Sequence, residues 1–449
     1  MSKMLAKVNL FAVLGVVHLT SYTIPRLLHT LLVKVPVTIF ELLTFKKRFT
    51  YFHEREIKVV ASGREYSGKE NREHYRDSPI LKRLGFLKPL YYRDPLYSGH
   101  VHTLFAASRP SRRVAYTRET IMSEDVNEAC MDWLYTDKTP ARGVLLVNPG
   151  FGNYSQTPYV QQIARLAVKK GFHCVVHTMR AIGSAPLTEE RKTKIGSAIL
   201  TADIRAVARG PLQPSAIKAR FGAALPVTAV GYSAGCTMLF KLMEEEEAAY
   251  AADPSIYPDG LSISMVVAMG VPYELSVRSR MMQSPVGKRL YQKAMVGVIQ
   301  GINRKHKEKL MGIEHIPELC SDDTVDDYLE KASQSMEDYE KYMISRYHKF
   351  KTVEAYWDAC DCLPFIRKIQ KTLVVCVTAK DDPICGYSDI DWKGVTAEKP
   401  NVMYVETSTG GHLGYLKGPL DEVNGSPSFL VEFPVRCFDN YVREKGRSE

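Results

Sequence analysis

The chain has 449 residues, 45% of them hydrophobic and 24% charged, with a formal net charge of +10. That apolar content supports a large buried core and excludes a disordered or collagen-like chain. Nine scattered cysteines (Cys130, Cys174, Cys236, Cys320, Cys360, Cys362, Cys376, Cys385 and Cys437) form no C-x-x-C pair and no cluster with histidine at metal-ligand spacing. This odd set fits a reducing compartment better than a disulfide-stapled secreted domain, and it points to no metal site. No phosphate-binding loop, dinucleotide fingerprint or nucleic-acid module is present, so no cofactor or nucleic-acid partner is expected.

Residues 8–19 form a strongly apolar run, preceded by Lys3 and Lys7 and followed by Pro25 and Arg26. A bilayer span needs about 20 apolar residues, so the run is marginal as a transmembrane helix. No small-x-small cleavage site follows it, which argues against a cleaved signal peptide. Residues 27–45 are again apolar but carry Lys34, Pro36 and Glu41, a pattern suited to lying at a membrane interface. The basic cluster Lys46-Lys47-Arg48 comes next. Residues 1–48 therefore read as a membrane anchor, single-pass or interfacial, and residues 49–113 as a basic extension. Residues 1–120 carry a net charge of +12 and the remainder −2, so the whole basic excess sits beside the apolar run. Each such cation gains roughly 1 kcal/mol near an anionic leaflet. Membrane association is the expected partner for this charge, and positive-inside reasoning favours a cytosolic location for the rest of the chain.

From residue 114 onward, extended apolar runs alternate with helical patterns. Strands are predicted at 116–122, 129–135, 143–148, 172–178, 227–231, 262–269, 372–378 and 402–407. Helices between most of them imply a mainly parallel eight-stranded sheet with helices on both faces. The stretch from about 274 to 357 reads helical and is expected to cap the carboxyl edge of the sheet. It contains Met281, Met282, Met295, Met311, Met336 and Met343. Thioethers facing a site would suit acyl chains of varied shape, although most of these methionines read as ordinary packing residues. A closing helix is predicted at 428–443. Residues 114–449 thus read as one α/β domain with a helical insertion.

Four loops carry the chemistry. Gly231-Tyr232-Ser233-Ala234-Gly235 lies directly between a strand and a helix. That is the setting of a nucleophile elbow, a strained turn that lifts a serine hydroxyl above a sheet edge. The strand at 372–378 ends in Ala379-Lys380-Asp381-Asp382-Pro383-Ile384, and the strand at 402–407 ends in Ser408-Thr409-Gly410-Gly411-His412. The order serine, acid, histidine, each at the carboxyl end of a strand, is that of a hydrolase on an open α/β sheet. Ser233 would attack a carbonyl, and His412 would take its proton and return it to the leaving group. An aspartate would orient the imidazole. After the strand at 143–148, the turn Pro149-Gly150-Phe151-Gly152-Asn153 offers an oxyanion donor: the Phe151 N–H, paired with the N–H of Ala234. Pro149 has no N–H to give. One such donor is worth about two to three orders of magnitude in rate.

With these residues in view the chain resembles the AB hydrolase 4 family of membrane-anchored alpha/beta-hydrolase domain proteins and bacterial esterases. The likeness is carried by Gly99-His100-Val101-His102-Thr103, Tyr116-Thr117-Arg118-Glu119, Asp132-Trp133, Arg180 with Gly183, Thr201 with Asp203, Ala379 through Ile384, and Gly410-Gly411-His412-Leu413-Gly414. It spans about residues 90–440. It implies an α/β-hydrolase fold and hydrolysis of carboxylic esters, often of glycerolipids, without cofactor or metal. In related sequences an acid followed by Pro and an aliphatic residue faces the site, which favours Asp382 and leaves Asp381 as a solvated turn residue. The chain departs from the family in having Pro149 where a histidine is usual and Ala181 where a glycine is usual. Two other outcomes stay open: an acyltransferase on the same fold, and a catalytically silent hydrolase serving as a membrane interaction module. Some acyltransferases carry H-x-x-x-x-D at the catalytic histidine, whereas Lys417 stands fifth after His412 here.

Overall fold

The apolar runs become strands, and their alternation decides what each face of the sheet buries. The computed structural model describes residues 54–66, 73–86, 88, 90–93, 98–106, 109, 112–188, 195–416 and 427–448. The hydrophobic stretch assigned to residues 1–48 lies outside the described residues. Among the described residues no helix is long and apolar enough to cross a membrane.

The strands are β1 (Glu54–Glu56), β2 (Lys58–Ala61), β3 (Arg64–Tyr66), β4 (Tyr91–Arg93), β5 (Thr117–Met122), β6 (Glu128–Leu134), β7 (Gly143–Asn148), β8 (Phe172–Thr178), β9 (Val227–Tyr232), β10 (Ile263–Met269), β11 (Leu373–Ala379) and β12 (Val402–Thr407). The main sheet has ten strands in the order β3-β2-β12-β11-β10-β9-β7-β8-β6-β5. From β12 to β8 all neighbours are parallel, with Val230 level with Val147 on one side and Val267 on the other. β5 and β6 close one edge antiparallel.

The eight predicted strands form a continuous block, but the sheet does not stop there. β2 adds antiparallel to β12, with Val60 opposite Tyr404, and β3 adds to β2. Both lie in the stretch that the sequence suggested was an extension outside the domain, so the sheet begins before residue 114 and has ten strands rather than eight. Lys58-Val-Val-Ala61 is only four residues long, too short for a periodic signal. Burial decides the matter: Val59, Val60 and Ala61 are all essentially inaccessible to solvent.

Side chains of successive strand residues point to opposite faces, and the two cores follow that rule. Leu146, Ala229, Val266 and Val374 face one layer, which contains Leu239 and Phe240 of the helix Ala234–Ala252. Leu145, Val230, Val267 and Val375 face the other, with Val160 and Ile163 of Pro158–Lys169 and Leu430 and Phe433 of Phe429–Ser448. Between β10 and β11 the chain forms the helices α1 (Leu275–Gln283), α2 (Gln292–Leu310), α3 (Asp322–Ala332) and α4 (Val353–Ala359), with π-helical turns at Gly287–Tyr291 and Tyr339–Ile344.

The Arg180 and Asp203 of the family likeness prove to be one buried clamp. The Arg180 guanidinium bonds Asp203 at 2.6 and 2.9 Å and Asp125 at 2.7 and 2.8 Å, tying the loop after β8 to the β5–β6 turn and the helix Ala202–Arg209. The next residue, Ala181, sits at φ +65°, the left-handed region in which a glycine is unstrained.

Candidate active site

The serine loop is shaped by what its glycines exclude. Ser233 follows β9 directly at φ 52° and ψ −126°, a strained conformation for a residue with a side chain. Its N–H is held by the carbonyl of Met269 at the end of β10 (3.0 Å). A Cβ on Gly231 would lie 2.8 Å from the Cys236 backbone, and one on Gly235 would lie 2.2 Å from the Asn148 carbonyl oxygen. The elbow therefore needs both glycines, one for the fold-back of its own helix and one for contact with the end of β7. Asn148 completes that contact by donating its side-chain N–H to the Gly235 carbonyl (3.0 Å), while His177 pairs with the Asn148 side-chain oxygen (2.8 Å). Burial lowers the His177 pKa to about 4, so this histidine is neutral and structural.

His412 Nε2 lies 3.0 Å from Ser233 Oγ, and His412 Nδ1 lies 2.8 Å from Asp382 Oδ2. Asp382 rather than Asp381 thus reaches the imidazole. Pro383 has no N–H, so the other oxygen of Asp382 accepts from the N–H groups of Ile384 and Cys385, both at 2.9 Å, which aims the carboxylate. Asp381 is not the solvated turn residue expected. It is half-buried and accepts the Gly411 N–H (2.9 Å), because the segment at Gly99 packs directly against it. His412 is buried, which by itself would disfavour its charged form. The adjacent Asp382 carboxylate overrides this and holds the imidazole pKa well above its ordinary value.

The histidine loop is seated by a segment that sequence reading could not assign a task. The helix Gly99–Ala106 lies beneath it. Thr103 Oγ1 donates to the Gly99 carbonyl (2.7 Å) and accepts the His412 N–H (2.8 Å). His102 Nδ1 accepts the N–H of Leu416 (3.0 Å), and burial drops the His102 pKa to about 3, which keeps that acceptor unprotonated. A Cβ on Gly411 would lie 2.3 Å from the Gly99 carbonyl oxygen, and one on Gly414 would lie 2.5 Å from the His102 backbone. The likeness at 99–103 and at 410–414 is thus one interface seen twice in the sequence.

Phe151, Ser233 and Ala234 line a common cavity, roofed by the helical insertion and predominantly apolar. Gly150 lies against the elbow, where an added Cβ would meet Ser233 Cβ at 3.0 Å, and its N–H is directed to the Tyr159 hydroxyl (3.3 Å). Of the first three residues of that turn, Phe151 alone retains an N–H not committed in this way. Met282, Met295 and Met336 line the cavity, whereas Met281, Met311 and Met343 do not.

Cys385 is the neighbour that sequence reading missed. Its Sγ lies 3.5 Å from His412 Nδ1 and 3.6 Å from the Gly270 carbonyl, and burial raises its pKa, which favours the thiol. Only its position one residue beyond the Asp-Pro-Ile motif could have flagged it. Donor atoms of Asp382, Cys385 and His412 fall within 4.8 Å of one another, compact enough for a metal ion. Two of them already form the bond that orients His412, so an ion there would compete with the imidazole's alignment.

A parallel sheet of this order, a strained serine after its central strand β9, and an acid and a histidine after β11 and β12 define an α/β-hydrolase fold. No family model matches the chain. It is 26% identical to embryogenesis-associated protein EMB8 of Picea glauca, over 78% of this chain and 72% of that protein. It is 23% identical to monoacylglycerol lipase ABHD2 of Homo sapiens, over 67% of this chain and 64% of the relative. It is 22% identical to phospholipase ABHD3 of Homo sapiens, over 70% and 69% of the two chains. The chain has the α/β-hydrolase fold and is similar to these lipase and phospholipase relatives.

Proposed function

We propose that the chain is a serine hydrolase that cleaves carboxylic esters, lipid esters in particular, through an acyl-enzyme on Ser233. The observation that carries this reading is the unbroken hydrogen-bonded series Ser233–His412–Asp382 opening onto an apolar cavity. His412 Nε2 takes the Ser233 proton as Oγ adds to the ester carbonyl, and the Phe151 and Ala234 N–H groups hold the oxyanion. The imidazolium returns the proton to the departing alcohol, leaving the acyl group on Oγ. Water then adds by the same route, giving its proton to His412 and releasing the acid. Asp382 fixes the tautomer and stabilises the imidazolium throughout. The names of the two human relatives, a monoacylglycerol lipase and a phospholipase, support a glycerolipid ester.

The test is covalent labelling by a fluorophosphonate of full-length, detergent-solubilised protein beside Ser233→Ala, with product analysis in water and in added alcohol. Labelling lost only in the variant, with free acid as product, is expected. Absence of labelling in folded wild type would favour the silent interaction module, and acyl transfer to alcohol in preference to water would favour the acyltransferase. The apolar and basic residues 1–48 are part of the same proposal as a membrane attachment with the hydrolase domain on the cytosolic side. Their removal is expected to abolish co-flotation with anionic vesicles.

A further inference from the structure

The cavity above Ser233 is apolar except at one place. Arg278 of α1 and Glu340 of the π-helical turn Tyr339–Ile344 both line it and form a buried ion pair at 2.5 Å. The same Glu340 oxygen, Oε2, also accepts the indole N–H of Trp357 (2.9 Å), so its partners all fall on one side of the carboxylate. The Arg278 Nε–H has no hydrogen-bond partner, although the residue is only 9% exposed. Ser197 lines the cavity as well, 2% exposed, and its hydroxyl also has no partner. Buried polar atoms without partners are costly and uncommon, and each calls for a reason. Two of them, on residues that line the same otherwise apolar chamber as the half-used Glu340 carboxylate and Ser233, have the composition of an unfilled polar subsite. π-helical turns within helices often mark functional positions, and one of them presents Glu340 here.

The charge balance narrows what the subsite takes. Arg278 is already neutralised by Glu340, so a phosphate entering the cavity would face the carboxylate as well as the guanidinium. An uncharged hydroxyl meets no such conflict: it accepts from Arg278 or Ser197 and donates to Glu340. We propose that Ser197, Arg278 and Glu340 form a subsite for a free hydroxyl of the ester substrate, which makes a partial glyceride the substrate class rather than a fully acylated or phosphate-bearing lipid. This rests on the reading of Ser233 as an ester-cleaving nucleophile.

The test uses full-length wild-type protein in detergent and four esters of one fatty acid: the glyceryl, n-propyl and methyl esters and the glycerophosphocholine ester. A hydroxyl bonded to a charged partner contributes about 1.5–3 kcal/mol, so kcat/KM for the glyceryl ester should exceed that for the propyl ester by at least about tenfold. Equal values for these two overturn the subsite, and a preference for the glycerophosphocholine ester overturns the uncharged reading. Failure to cleave any of the four, methyl ester included, would count against the ester-hydrolase reading itself and so is distinguishable. The paired variant Arg278→Met/Glu340→Leu, which removes both buried charges together, should bring the glyceryl-to-propyl ratio to within about threefold of unity. A ratio unchanged in folded variant refutes the assignment, and Ser197→Ala, a smaller change, provides the same reading should the pair fail to fold.

Discussion

Gly235→Ala isolates geometry from chemistry, because it touches none of the three hydrogen-bonded side chains. The added methyl would lie 2.2 Å from the Asn148 carbonyl oxygen and 2.6 Å from that of Pro149, and real Cβ contacts essentially never fall under 3.0 Å. The difference on the first contact is 0.8 Å, and both obstacles are backbone, so the elbow and the end of β7 must separate by about that much. Overpacking of this kind costs about 1–3 kcal/mol of stability. The larger effect falls on catalysis. Phe151 and Ala234 stand on opposite sides of the contact being forced apart, and a misplacement of about 1 Å near the chemistry can cost roughly a hundredfold. Turnover of a p-nitrophenyl ester should therefore fall about a hundredfold while thermal unfolding remains cooperative. Gly297→Ala is the control, since its methyl meets nothing within 4 Å. It should leave turnover unaltered and raise stability by up to about 1 kcal/mol, the helical preference of alanine over glycine. Turnover of Gly235→Ala within threefold of wild type would refute the oxyanion arrangement.

Asp382→Asn should lower kcat by about 10⁴ through loss of the correct imidazole tautomer, measured on the same ester. His412 must be neutral to act as base and its pKa is raised by Asp382, so wild-type kcat/KM should rise with pH with a midpoint above 6.5. In Asp382→Asn the residual activity should have its midpoint displaced downward, and an upward displacement would contradict the electrostatic account. Thr103→Val removes the acceptor of the His412 N–H. A bond of this type left unmade costs about 1–3 kcal/mol, so kcat should fall roughly tenfold or more with little change in KM. Arg180→Met strips the cationic partner from buried Asp203 and part-buried Asp125, and should cost about 3–5 kcal/mol in a denaturant titration.

Long apolar runs were legible because burial on both faces leaves few polar residues to interrupt them, as in β7 and β11. The serine, acid and histidine were legible because each follows such a run directly. What sequence reading missed was assembled from distance. β2 and β3 are short and derive their stability from β12, more than 300 positions later. His102 and Thr103 announce no chemistry until the loop they seat is folded onto them. Arg278 and Glu340 are 62 positions apart, and nothing local to either reveals burial. Of the six methionines of the insertion, the three that reach the cavity could not be separated from the three that do not, because which residues line it depends on how the insertion folds over the sheet.

The seat beneath His412 also sets a timetable and a limit. Thr103 and His412 are 309 positions apart. At about 5–20 residues per second, synthesis leaves the helix Gly99–Ala106 waiting roughly 15 to 60 s for the loop it holds. Until then Ser233 emerges without a base, a nascent chain with its nucleophile built and disarmed. The same spacing warns against trimming. A shortened chain starting after residue 106 would keep all three members of the Ser233–His412–Asp382 series and the whole parallel sheet, yet lose the floor on which the imidazole stands.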